Sequence, residues 1–112
     1  MVKVYKVDPN DPDYCDDSMY RPEDWEEFLQ RQEDHRREVM TYINEADEKG
    51  WIEELNAYGF ILALRLQDYR DFYRYKDQMP KWQARECKYM IIMYSEIVDH
   101  VKEVLRKRRQ GL

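Results

Sequence analysis

Apolar residues recur at Trp51, Leu55, Tyr58, Leu62, Leu66, Tyr69 and Tyr73, in steps of three and four, before Pro80 interrupts the pattern. This spacing marks one face of an α-helix. Between Ala57 and Leu66, however, every residue except Arg65 is apolar or glycine. A helix that is apolar on several sides must be covered on several sides. The stretch therefore predicts a middle helix over 51–79, packed between two others or against a partner chain. Its end at Gln78 or Met79 follows from Pro80, because the residue before a proline avoids helical geometry. Gly59 lies inside the apolar run, where glycine costs about 0.5–1 kcal/mol relative to alanine. Close approach of a neighbour would account for it.

Downstream the repeat is seven residues long. Cys87, Tyr94 and Val101 form one column, Met90, Ile97 and Val104 a second, and Ala84, Ile91, Val98 and Leu105 a third. Three adjacent columns predict a bundle helix over 81–109 with a broad apolar face. The run from Tyr89 to Tyr94 is apolar all round, so Tyr89, Ile92 and Met93 exceed what one core face needs. The basic end, Arg106, Lys107, Arg108 and Arg109, suits the negative end of a helix dipole.

Upstream, a helix over 22–49 begins at Pro22, with Glu23, Asp24, Glu26 and Glu27 at the positive end of its dipole. Its apolar stripe is Trp25, Phe28, Leu29, Val39, Ile43 and Ala46, broken in the middle by Gln32, His35 and Arg36. Gly50 is the expected left-handed cap, with an uninterrupted helix through it as the alternative. Three helices of matched length joined by short connections predict an all-α fold, an up-down-up three-helix bundle over 22–112. Leu55, Leu62, Leu66, Met90, Ile97 and Val101 are its expected core. Residues 1–21 are expected to form an extended acidic N-terminal arm. It opens on a strand-like alternation at Val2, Val4 and Val7, and Pro9 and Pro12 then prevent regular structure.

Composition changes this picture in two respects. Only 3 of the 112 residues are glycine, too few for a phosphate-cradling loop, and 38% are charged, as long helices with solvated faces require. Charge is unevenly divided. Residues 1–48 hold 15 acidic and 6 basic side chains, a balance of −9, whereas residues 49–112 hold 9 acidic and 13 basic, a balance of +4. The acidic half repels nucleic acid and the basic end attracts it. The start of the chain lacks the apolar core of a signal peptide, and its longest apolar run falls short of the about 20 residues that span a bilayer. No membrane role is expected. The two cysteines, Cys15 and Cys87, read as reduced thiols in a cytoplasmic setting.

Four kinds of chemistry bear on these residues. The surplus apolar residues at 57–66 and 89–94, with the acidic arm, point to a non-catalytic protein-interaction module, a subunit or inhibitor of a larger assembly and a homo- or hetero-oligomer. Its expected partner-binding residues are Asp8, Asp11, Asp13, Asp16 and Asp17, for a basic partner surface, and Phe60, Tyr89, Ile92 and Met93. The alternative is a small nucleic-acid-binding subunit using Arg70, Arg74, Arg106, Lys107, Arg108 and Arg109, with aromatics interleaved at 69–76. A third reading is a metal-dependent helical enzyme. It would draw on His35 with Glu38 and Glu96 with His100, which a bundle places at similar heights, but no Glu-x-x-His pair occurs. Ser18, Thr41 and Ser95 have no histidine at motif spacing for nucleophilic catalysis. No cofactor and no metal site are expected.

Overall fold

The computed structural model describes residues 20–111. The strand-like start, Cys15 and the arm aspartates Asp8, Asp11, Asp13, Asp16 and Asp17 lie outside the described residues. Helix α1 spans Pro22–Lys49, α2 spans Ile52–Tyr73 and α3 spans Lys81–Gln110, with a 3-10 turn at Lys76–Gln78. Contacts along α1 and α3 advance together: Trp25 meets Tyr89, His35 meets Tyr94, Asn44 meets His100 and Asp47 meets Arg108. Along α2 and α3 they run in opposite senses, Gly59 facing Val101 and Tyr69 facing Tyr94. The architecture is an all-α, up-down-up three-helix bundle.

Local chemistry sets the helix ends. At the start of α1, the Asp24 carboxylate accepts the backbone N–H of Arg21 at 3.0 Å and also binds its guanidinium. This satisfies a donor that the helix leaves unpaired. At the other end Gly50 takes φ +74°, the left-handed conformation that glycine adopts without a side-chain penalty. Its N–H donates to the Asp47 carbonyl and that of Trp51 to the Ala46 carbonyl. This pair of bonds is a Schellman cap, and it separates α1 from α2.

The second helix stops earlier than its sequence predicts, at Tyr73 rather than Gln78 or Met79. The proline rule sets only an upper limit. From Phe72 to Met79 the bonds tighten to a three-residue span, Tyr75 to Phe72, Gln78 to Tyr75 and Met79 to Lys76. The chain thereby turns within a few residues, and Met79 and Pro80 are buried beneath it.

All six expected core residues are buried, and Ile43, Leu55 and Ile97 are the largest fully sealed side chains among the described residues. Burial is nevertheless greater along α3 than along α2, although α1 packs against both. Eight side chains of α3 are buried, Met93 among them, against three of α2. The cause is asymmetric packing. A Cβ added to Gly59 would lie 2.8 Å from Val101 Cγ1, so α2 and α3 nearly touch. Helix α1 stands on larger side chains, with Trp25 and Phe28 against Tyr89 and Tyr42 against Tyr58. With neighbours on two sides, α3 buries a wider arc than three heptad columns.

This contact gives a prediction that opposes simple helix propensity. Gly59→Ala should gain about 0.5–1 kcal/mol from propensity alone. Overpacking against the buried Val101 should instead cost about 1–3 kcal/mol, leaving a net loss. Chemical denaturation measures it, and the loss should shrink in a Val101→Ala background.

Candidate interaction surface

The polar break in the α1 stripe lies at its contact with α3. His35 Nε2 lies 3.1 Å from the hydroxyl of Tyr94, a residue only 2% exposed. Without that partner a buried hydroxyl would lose its hydrogen bond at a cost of about 1–3 kcal/mol. Arg36 pairs with Glu96 at 3.5 Å, and His100 Nε2 lies 3.2 Å from Asn44 Oδ1. The two His/Glu pairs considered for a metal therefore do not converge. His35, Glu96 and His100 instead tie α1 to α3, and no group of three such ligands assembles among the described residues.

The basic residues are also divided. Arg70 and Arg74 sit toward the C-terminal end of α2, beside the start of α3, while Arg106 to Arg109 sit at the opposite end of the bundle. Arg106 and Lys107 both pair with Glu103, and Arg108 Nε donates to Asp47 at 2.6 Å. The Arg106 hydrogen bond holds the Glu103 carboxyl below its usual range. Much of the tail charge is thus matched within the bundle, and the six cations do not form one patch.

The interaction residues proposed from sequence also separate. Met93 is 3% exposed and belongs to the core, which corrects its assignment to an outer face. Tyr89 is half-buried in an aromatic cluster with Trp25 and Phe28, capped by Arg85 3.7 Å above the Trp25 ring. Ile92 is exposed alone on α3. Phe60 is 66% exposed, and Ile61 and Leu64 beside it are also open to solvent.

These residues define a surface on α2 opposite the bundle core. Ala57, Phe60, Ile61 and Leu64 follow helical spacing, and all four are exposed. Toward α3 the surface continues into a groove of about 230 Å³ lined by Phe60, Ala63, Val98 and Leu105, with Lys102 at its edge. Contiguous exposed apolar side chains are uncommon on a monomer and mark contact sites. The electrostatics of α2 are equally distinct. Every ion pair among the described residues joins charges of α1, of α3 or of the turn before α1, and none uses a charge on α2. Ala57, Ile61 and Leu64 were present in the sequence as part of the apolar run. Which of them faced outward depended on the side from which α3 approached.

A second concavity, of about 220 Å³, opens where Phe28 and Gln32 of α1 face Tyr69, Glu86 and Cys87. The Tyr20 hydroxyl donates to Glu86 Oε2 at 2.5 Å, and its ring stacks on Trp82. Burial, then that hydrogen bond to a carboxylate, raises the Tyr20 pKa above the usual phenol range. Burial likewise pushes the Cys87 thiol up to about 11, and its Sγ donates to the Tyr69 carbonyl at 3.3 Å.

No helix among the described residues is long and apolar enough to cross a membrane. The chain matches no family model, no curated protein and no solved structure.

Cys87 supplies a pH prediction. A thiol titrating near 11 instead of 9.0 holds its proton more tightly when folded. The stability it contributes is complete below pH 9.0 and is lost as pH rises toward 11. Tyr69, also raised by burial, acts in the same direction. Native Cys87 should therefore resist alkylation at neutral pH and react once the chain is unfolded, read by mass spectrometry of its peptide. Prompt native labelling would show that the thiol is not held this way.

Proposed function

We propose that this chain is a cytosolic, non-catalytic helical interaction module, a subunit or modulator of a larger assembly. The observation that carries the proposal is the exposed stripe Ala57, Phe60, Ile61 and Leu64 on a helix whose charges make no ion pair among the described residues. Burying an exposed Phe, Ile or Leu against a partner contributes about 1.5–3 kcal/mol each at full burial. A short stripe is therefore enough for a specific contact. The acidic residues Asp8, Asp11, Asp13, Asp16 and Asp17 add a second element, steering toward a basic partner surface at low salt. An inhibitor that occupies such a surface is the sharper form of this function.

Affinity capture from the source cells tests it, using the wild type, Phe60→Glu, and a variant with the five aspartates changed to asparagine. A protein partner should survive nuclease treatment and be lost with Phe60→Glu, which leaves the core untouched because Phe60 is 66% exposed. The asparagine variant should weaken capture at low salt and matter little at high salt. Loss of every partner on nuclease treatment would support direct nucleic-acid binding in place of this function.

A further inference from the structure

We propose that two copies of this chain associate back to back through α2, antiparallel, about a two-fold axis beside Phe60. Glu54 of each copy then pairs with Arg65 of the other. The proposal rests on the interaction role of this face and names its partner.

The charge pattern along α2 selects this occupant. Glu54 and Arg65 are both exposed and are 11 residues apart. That is about three helical turns, so both lie along the same edge of the apolar stripe, next to Ile61. Midway between them in height are Gly59, on the side toward α3, and Phe60, in the stripe. When a helix packs antiparallel against its own copy about that midpoint, the same edges face each other. Glu54 then stands at the height of the partner's Arg65, and Arg65 at the height of the partner's Glu54. A parallel arrangement would set opposite edges face to face at equal heights, parting Glu54 from Arg65 and bringing Glu54 to the partner's Glu53. Flanking charges of this kind set partner choice and orientation in helix pairs. Neither residue makes an ion pair among the described residues of its own chain, so both are available.

The apolar residues fit the same axis. Phe60 of one copy lies next to Phe60 of the other, with Ile61 against Ala57 on either side. Leu64 falls between Glu54 and Ala57 of the opposite helix. Glu53 of each copy then comes within about two residues' rise of the partner's Asp68, a like-charged pair that weakens the contact. A single helix-on-helix contact lies at or below the small end of the protein-interface range, about 1,200 Å². Area alone does not fix the affinity of such a contact, and a small one gives a concentration-dependent dimer.

Sedimentation equilibrium over about 1–500 µM covers the range in which a weak dimer forms. The wild type should form dimers, and Phe60→Glu should stay monomeric with unchanged helix content by circular dichroism. Glu54→Arg and Arg65→Glu should each weaken self-association about tenfold, since each replaces two attractive pairs by two repulsive ones. An equimolar mixture of these two variants should regain wild-type affinity, because one copy then carries two acids and the other two bases. A wild type that is monomeric throughout overturns the proposal. So do single charge variants that dimerise like the wild type, or a mixture no stronger than its components. If the chain stays monomeric but Phe60→Glu still abolishes capture of another protein, self-association fails and the interaction role stands. If it dimerises as described while capture ignores Phe60, the partner is the second copy alone.

Discussion

The near contact of α2 with α3 at Gly59 and Val101 governs the rest of this bundle. Two helices drawn together this closely leave two grooves between them, one on each side. Helix α1 fills one groove through large side chains, Phe28, Tyr42, Val39 and Ile43. The other holds Phe60, Ala63, Val98 and Leu105, and no helix among the described residues lies over it. The exposed stripe on α2 and this open groove are both consequences of that choice. A glycine that is costly for the helix in isolation is therefore what allows α2 and α3 to approach so closely.

The contact between α1 and α3 has a different character. It alternates buried aromatic and aliphatic groups with polar pairs: His35 with Tyr94, Arg36 with Glu96, Asn44 with His100, and Asp47 with Arg108. Pairs open to solvent contribute little net stability, about 0–1 kcal/mol each. Their effect is better understood as fixing register. A helix held only by a smooth apolar stripe has several near-equal positions along its neighbour, and polar partners at four heights leave one.

Much of this was legible in the sequence, for identifiable physical reasons. The seven-residue columns of α3 and the three- and four-residue steps of α2 located the core, since burial and helical period are the same signal there. Gly50 marked the break between α1 and α2, because no other residue takes a left-handed backbone so cheaply. Met93 was misplaced since a heptad reading allows for one covered face, and α3 has two neighbours. The early end of α2 was hidden because Pro80 forbids helix only immediately before itself. For the interaction face, the apolar run from Ala57 to Leu66 announced a surplus. It did not say which residues were surplus, since that depends on a close approach encoded by one glycine. The polar break at Gln32, His35 and Arg36 was visible, but its partners, such as Tyr94, are far away in the chain and leave no local trace.

The parallel pairing of α1 with α3 also bears on how the molecule comes apart. His35 and Tyr94 are 59 residues apart in the chain, whereas α2 and α3 face one another across a short turn. Contacts between distant segments are slow to form and depend on the nearer ones being in place. Helix α1 reaches α3 through wide-set side chains and half-exposed polar pairs, so it has the less densely packed side of the bundle. The physical hypothesis is a two-helix clamp onto which α1 is laid last and from which it lifts first. Native-state hydrogen exchange reads this directly as earlier exchange along α1 than along α2 and α3, and equal protection in all three helices would contradict it.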